Sequence, residues 1–334
     1  MIFNPRLRNR IVIAFSKAVN SLRNKKLHVE IHNNASIAYY AEYNKIVRDY
    51  YLYCINQIVD QLNISTHCNI IFGHYKWTFP NKHKTIRIEF QYEHTLVKPG
   101  GRHTIGAMKG VIPVSNTENE TYLVRISNYT KLLTADIIVD YSLPNIINIT
   151  SSKKYTRLHT KLFHFWPLLY KYIKDEINYQ ERDLSLITMF GNPDEPYRKN
   201  FINTLHIHGI YPININNTFD NVESLYRRTK ILINIRQTDS HHTIEELRIL
   251  PALLCKTIVI SEIGPLQDSI RYNESILWAS LDDMPSLIKD VVNNYDVYYN
   301  IVFGSNRFSH IVDKLSNDNK VTVQNIITHI NHLL

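Results

Sequence analysis

The stretch from Lys230 to Pro265 decides the fold, and it reads KILINIRQTDSHHTIEELRILPALLCKTIVISEIGP. It predicts strands over Ile231–Ile235 and Thr257–Ser261, because both segments are apolar and β-branched, as strands of a parallel sheet buried on both faces are. A polar run and then an apolar helix separate the two strands. This order is typical of an open α/β sheet, in which ligands bind outside the carboxyl ends of the strands.

Three charged residues open the helix that follows the polar run. Glu245 and Arg248 are three residues apart and therefore share one helix face. One interpretation is an ion pair within the helix on a solvated face, worth a few tenths of a kcal/mol. The other is that Arg248 binds a diphosphate through charge-assisted hydrogen bonds. The position of the helix, directly behind a buried strand, favours the second interpretation.

The pattern Glu245-x-x-Arg248, then an apolar helix, then V-I-S-E ending at Glu262 and a Gly264-Pro265 pair, resembles the donor-binding half of GT-B-type glycosyltransferases. The resemblance covers roughly residues 184–280 and is to the branch that reads E-x-x-R … V-V-S-E. In the wider class the same helix carries E-A-x-x-x-G-x-P-V-I. Here the class glutamate falls on Pro251 and the class glycine on Lys256.

The resemblance implies roles for several residues. Glu245 or Glu246 would take over the contact of the class glutamate with the ribose hydroxyls. The loop after the second strand would touch the donor sugar or phosphate through Glu262 and Gly264. The donor would be a nucleotide-diphospho-sugar, with no cofactor and no metal.

A second group of candidate donor-binding residues follows the predicted strand that begins at Leu184. Gly191 and Asn192 form a turn, and a helix from about Pro196 follows it. Backbone N–H groups at a helix start favour anions. Arg198 lies where the helix dipole disfavours a cation, which indicates an anionic partner. A plain surface turn is the alternative.

Gln237, His241 and His242 belong to the polar run between the two strands. Adjacent histidines point in different directions, and no third ligand stands at a suitable spacing, so the sequence does not predict a zinc site. Lining of a donor pocket and an exposed loop remain the two interpretations of this run.

The N-terminal half alternates strand-like and helix-like segments. We predict a helix over Tyr39–Leu62, a strand over Thr85–Gln91 and a further strand over Asn145–Ile149. The βαβ rhythm predicts a Rossmann-like domain over residues 1–165, which would bind the acceptor. A second, donor-binding domain would span residues 166–320, and a helix over residues 321–334 would pack back on the core.

The end of the Thr85–Gln91 strand supplies two candidates for the catalytic base. His94 has an ordinary pKa suited to general-base catalysis, and Glu93 is the other candidate. A surface turn is the alternative.

Composition sets the remaining bounds. The 38 basic and 30 acidic residues give a net charge of +8, which suits a nucleotide diphosphate or a nucleic acid. No zinc-finger, RRM-like or long basic-helix pattern accompanies it, so we do not predict a dedicated nucleic-acid role. No apolar run reaches the roughly 18 residues of a membrane helix. The first residues do not resemble a signal peptide, and the three cysteines lack the spacing of metal ligands. Both observations favour a cytoplasmic protein. The richness in Ile, Asn and Tyr resembles the composition of proteins encoded by AT-rich genomes, including those of large DNA viruses. A viral protein of this kind would be expected in the host cytoplasm.

The sequence therefore predicts an α/β protein with two Rossmann-like domains facing across a cleft, GT-B-like in architecture. Its predicted function is transfer of a sugar from a UDP- or GDP-sugar to a hydroxyl of a glycan or glycoprotein, without a metal. Two alternatives remain: a degenerate GT-B scaffold that binds without catalysis, and a basic nucleic-acid-binding protein.

Overall fold

The computed structural model describes residues 27–334 except 41–44, 74–77, 92–93, 98–121, 127–128, 152, 175–181, 216–220, 240 and 305. The strands are β1 (Leu27–His32), β2 (Ala35–Tyr40), β3 (Cys68–Phe72), β4 (Lys84–Gln91), β5 (His94–Val97), β6 (Tyr122–Ile126), β7 (Ile137–Asp140), β8 (Leu162–His164), β9 (Leu184–Thr188), β10 (Ile213–Asn214), β11 (Thr229–Asn234), β12 (Ile258–Glu262) and β13 (Leu277–Ala279). The helices are α1 (Lys45–Asp60), α2 (Tyr129–Thr134), α3 (Leu143–Ser151), α4 (Thr156–His159), α5 (Pro196–Ile207), α6 (Val222–Arg228), α7 (Glu246–Leu254), α8 (Met284–Asn293), α9 (Tyr295–Phe303) and α10 (Arg307–Leu333).

Two large sheets, each with its own buried core, organise these elements, and β5 and β6 pair separately as a two-stranded antiparallel sheet. The first runs in the order β1-β2-β3-β4-β7-β8, with β2 to β8 parallel and β1 antiparallel at the edge. The second runs β10-β9-β11-β12-β13 and is parallel throughout. The predicted α/β class with two Rossmann-like domains is confirmed.

The second sheet forms as the sequence predicts because its two central strands, β11 and β12, contain apolar runs and are almost wholly buried. All five residues of β12 are buried, and only one residue of β11 is not. Helix α7 buries eight of its nine residues, including Pro251 inside the helix. An apolar helix over a two-sided apolar sheet gives the second core its central layer.

The predicted strand over Asn145–Ile149 is wrong, because this segment lies in α3. Its β-branched residues favour a strand, but Pro144 is compatible with the first turn of a helix. The carboxylate of Asp140 also fixes the start of α3: it accepts bonds from the backbone N–H of Ser142 at 2.9 Å and from the side-chain amide of Asn145.

The helix predicted over Tyr39–Leu62 is α1 and begins only at Lys45, because the residues up to Tyr40 form β2. The final helix begins at Arg307 rather than Val321. Weak helix formers precede Val321, but Asn319 is buried there and is held by tertiary bonds that override propensity.

Helix α10 connects the two cores. The side chain of Asn319 accepts from the backbone N–H of Trp166 at 2.8 Å and donates to the Trp166 carbonyl at 2.9 Å. Further along, Val323, Ile326 and Ile330 belong to the core of the first sheet. The last element of the chain therefore completes the first domain. None of the helices in the described ranges is both long and apolar enough to cross a membrane.

Candidate functional site

The order of the second sheet places a crevice between β9 and β11. From β9 the chain passes to β10 on one side, and from β11 it passes to β12 on the other. The loops behind these two neighbouring strands therefore diverge, and such a switch point is where open α/β sheets bind ligands. The predicted donor-binding residues Gly191, Asn192 and Arg198 follow β9. Gln237, His241, His242, Glu245, Glu246 and Arg248 follow β11.

Arg248 is half-buried in the first turn of α7 and is tethered to the ends of two strands. Its Nη1 donates to Oδ1 of Asn234 at 2.9 Å. The side-chain amide of Asn234 in turn donates to Oγ of Ser261 at 3.1 Å. The guanidinium is therefore oriented by the sheet and keeps further donors for a ligand.

Arg198 approaches the same place from α5 and is 5% exposed. Its guanidinium lies 4.7 Å from the centre of the Phe190 ring, and its Nε donates to the carbonyl of Arg236 at 3.3 Å. Burial lowers the pKa of Arg198 to about 10, and the positive charge of Arg248 adds to the effect. The two predicted cations are thus close enough to repel each other.

Neither arginine has a carboxylate within ion-pair distance among the residues that the structure describes. Glu245 offsets part of the repulsion, since its charge raises the pKa of Arg198. Two converging cations with spare donors favour an anion between them, because charge-assisted bonds to phosphate oxygens would offset their repulsion. We call Arg198, Arg248 and Glu245 the arginine site.

Glu245 and Glu246 differ sharply in surroundings although they are adjacent. Glu245 is half-buried at the N-cap of α7 and acts on Arg198. Glu246 is fully buried and accepts a bond from the hydroxyl of Tyr272 at 3.0 Å. Burial raises the pKa of Glu246 to about 8, and the nearby Ser142 hydroxyl and other donors offset part of that rise. Of the two residues predicted for the ribose contact, Glu245 is the one at the arginine site.

Glu262 holds the loop behind β11 rather than facing open space. Its carboxylate forms an ion pair with Arg236, accepts from the backbone N–H of Arg236 at 3.0 Å, and accepts from the hydroxyl of Tyr197. Arg236 also donates to the carbonyl of His241 at 3.2 Å. The same Arg236 carbonyl accepts from Arg198. We infer that Glu262 positions the loop and, through it, Arg198.

A Glu262→Gln variant is expected to lose about 1–3 kcal/mol of stability, because it leaves Arg236 without its counter-charge in a partly buried setting. For the nucleoside diphosphate proposed below as ligand, the affinity should fall about tenfold through misplacement of Arg198, while binding of the bare nucleoside should stay constant. Calorimetric titration and urea unfolding test both effects. Glu223→Gln, at the surface ion pair with Arg227, is the matched control. An equal loss for nucleoside and diphosphate would contradict the positioning role.

The polar run itself is partly internal. His241 is buried, and its Nδ1 lies 2.6 Å from Oγ1 of Thr238. His242 and Gln237 are half-buried. No three His, Cys, Asp or Glu side chains gather into a metal-binding group within the described residues.

The predicted donor-binding residues Gly191, Asn192 and Gly264 are at least partly accessible, and backbone strain does not fix their conformations. Gly191 and Asn192 are exposed, and a Cβ added to Gly191 would meet nothing within 4 Å. The N–H of Gly264 already donates to the side chain of Gln267 at 3.2 Å. Their predicted roles at the donor stay predictions.

The predicted base candidates lie in the first domain. Glu93 lies outside the described residues. The backbone of His94 begins β5 and pairs with Ile126 of β6. Their roles in catalysis therefore also stay predictions.

The sequence interpretation missed Asn234, Phe190 and Arg236. Asn234 carried a usable signal, since it is a polar residue at the end of an otherwise apolar strand, where its side chain reaches the switch point. Phe190 was hidden, because an aromatic residue after a buried strand is usually a core residue.

Comparisons with known proteins were made at three levels. No family model matches the chain. An uncharacterized protein of Acanthamoeba polyphaga mimivirus is 30% identical over 183 residues, which cover 53% of this chain and 61% of that protein. This chain thus spans less than two thirds of its viral relative.

Among solved structures, TarM matches with a TM-score of 0.48 and 12% identity over 91% of this chain and 63% of TarM. An α1,3-fucosyltransferase matches with a TM-score of 0.35 and 14% identity over 70% of this chain and 68% of that enzyme. The same enzyme with GDP-fucose matches equally, at 13% identity.

Proposed function

We propose that this protein is a glycosyltransferase that binds a nucleotide-diphospho-sugar at the arginine site and transfers the sugar to an acceptor hydroxyl. One observation carries the proposal: Arg198 and Arg248 converge at the switch point of the second sheet without a carboxylate partner among the described residues. This arrangement suits a diphosphate, which carries negative charge on two adjacent groups.

In the proposed reaction the bond between the anomeric carbon and the diphosphate breaks, and the diphosphate leaves with the electron pair. The acceptor oxygen forms the new bond to the anomeric carbon and gives its proton to a base. The two arginines would stabilise charge that develops on the leaving group, which is a large term in catalysis when the donors are oriented beforehand. The arginines would thus neutralise the negative charge of the leaving diphosphate, for which other transferases use a divalent metal.

Glu245 is the residue we propose for the ribose hydroxyls. Its charge acts on Arg198, it stands three residues before Arg248, and a carboxylate accepts bonds from both hydroxyls of a ribose. The acceptor, a glycan or glycoprotein, would enter from the first domain, with His94 or Glu93 as the base. We propose a cytoplasmic setting, in the host if the gene is viral.

A thermal-shift screen tests the proposal. The purified protein is heated with UDP, GDP, CMP and dTDP and with their sugars. A ligand at about 100 times its Kd contributes about 2.7 kcal/mol, so one nucleotide class should raise the Tm by several degrees.

Arg248→Ala should lose most of that shift, since a charge-assisted bond contributes about 1.5–3 kcal/mol, or about 10- to 100-fold in Kd. Arg228→Ala removes an exposed arginine paired with Asp183 and should keep the shift. Absence of any nucleotide effect in the wild type would overturn the proposal and leave a degenerate scaffold as the better account.

A further inference from the structure

A second strongly basic feature lies apart from the arginine site. It is a cleft of about 390 Å³ between the first turns of α10 and the segment before β13. Four basic side chains line it: Arg271, Arg307, His310 and Lys314. The volume is within the range of small-molecule sites, about 300–1,000 Å³. The cleft shares no residue with the arginine site.

Helix α10 presents its share of these groups on one face. Arg307, His310, Ile311 and Lys314 follow one another at intervals of three, one and three residues, which places them along one side of the helix. Seven residues separate Arg307 from Lys314, so their attachment points are about 10 Å apart along the axis. Ile311 gives the lining an apolar patch between the cations.

The charge of the lining is clearly positive. Glu274 is the only carboxylate among the cleft residues, and it pairs with Arg307. That pair is more than half exposed on both sides, so an incoming anion can replace Glu274 at little cost. Within the described ranges, the side chains of Lys314 and His310 make no hydrogen bond or ion pair with another residue.

Arg271 is oriented before any ligand arrives. It forms an ion pair of 3.0 Å with Asp318, and Asp318 also accepts a bond from the indole N–H of Trp166 at 3.1 Å. Trp166 is almost fully buried, so this chain of contacts anchors the arginine to the core. A preorganised cation loses less freedom when it binds an anion.

We propose that this cleft is a second anion site that binds a small ligand bearing phosphate groups. Cations spaced along a helix face, with one further cation fixed across from them, can donate to phosphate oxygens from two sides. The ligand has two sources with the same chemistry: a free inorganic phosphate species, or a sugar that carries phosphate.

Calorimetric titration with sodium pyrophosphate, inorganic phosphate and glucose 1-phosphate tests the site. The titrations use an Arg198→Gln/Arg248→Gln protein, from which the cations of the arginine site have been removed. Binding of at least one probe should persist there and should weaken tenfold or more after Arg271→Gln and Lys314→Gln are added. The pair Lys289→Gln and Lys320→Gln removes the same charge from exposed positions elsewhere and should leave the affinity within twofold.

The probes also separate the two sources. Tighter binding of glucose 1-phosphate identifies a phosphorylated sugar, and tighter binding of pyrophosphate or phosphate identifies a free phosphate species. Absence of binding by all three probes overturns the site, as does binding that survives in the Arg271 and Lys314 variant. If the arginine-site double variant does not fold, the wild-type protein, the cleft variant and the control variant are compared without the arginine-site substitutions. The cleft substitutions must then remove one binding event and the control pair none.

Discussion

A Glu246→Gln variant is expected to show a clearly smaller decline in stability between pH 5 and pH 8 than the wild-type protein. Burial raises the pKa of Glu246 from its ordinary 4.5 to about 8. In that interval the unfolded chain releases this proton while the folded protein keeps it. The folded state therefore binds more protons, and its free energy of unfolding falls as the pH rises.

The size of the effect follows from linkage, at about 1.4 kcal/mol for each pH unit over which the two states differ. Glutamine resembles the neutral acid and does not ionise. At pH 8 the variant should therefore be more stable than the wild type by an amount on the order of 4 kcal/mol. At pH 4 the two should be nearly equal. Urea unfolding across this range measures the difference.

A second buried carboxyl group near Glu246 also affects how the free energy of unfolding depends on pH. Asp140 lies nearby in the first domain, and burial together with the charge of Glu246 raises its pKa as well. Removal of the Glu246 charge should relax that second rise, but Asp140 leaves a residual pH dependence. Glu245→Gln deletes the neighbouring half-buried carboxylate and serves as control. Parallel curves for the wild type and Glu246→Gln would refute the expectation.

An Arg182→Leu variant is expected to lose about 3–5 kcal/mol of stability. Arg182 is buried, and its guanidinium donates to the carbonyls of Tyr226, Thr229 and Cys255, the last at 2.7 Å. These carbonyls lie at the ends of α6 and α7, where a helix leaves acceptors unsatisfied. A leucine would remove these charge-assisted bonds, each of which contributes about 1.5–3 kcal/mol, although the hydroxyl of Thr257 would still donate to the carbonyls of Tyr226 and Thr229.

Guanidinium chloride unfolding of Arg182→Leu and Arg228→Leu gives the comparison. Arg228 belongs to the same region but forms an exposed ion pair with Asp183. Its loss should cost little stability, because an exposed ion pair is screened by solvent. Similar losses for the two variants would mean that the contacts of Arg182 contribute little.

The second sheet could be predicted from sequence because its signals are local. Each strand is a short apolar run, and each connection contains a polar loop and a helix. The switch point between β9 and β11 was not predicted in itself, since strand order depends on contacts across the sheet. The predicted residues behind both strands nevertheless converge there, because a parallel sheet brings all strand ends to one edge.

Predictions failed where distant contacts decide the conformation. The segment Asn145–Ile149 has strand-like residues, but the carboxylate of Asp140 turns it into a helix. The opposite surroundings of Glu245 and Glu246 arise from the packing of α7 against the first domain, and no local pattern separates two adjacent glutamates. The ion pair of Glu262 with Arg236 was not predicted, because the two residues are more than twenty positions apart in sequence.

The crossing of α10 onto the first domain has a consequence for synthesis of the protein. Val323, Ile326 and Ile330 leave the ribosome after the strands of the second domain, yet they complete the core built by β2, β3, β4 and β7. Part of the apolar surface of the first domain therefore stays uncovered while the second domain is translated. Domains usually fold in order of synthesis. In this chain the first domain to be made should be the last to reach its final form, and a nascent chain arrested before residue 323 should engage chaperones more strongly than the released protein.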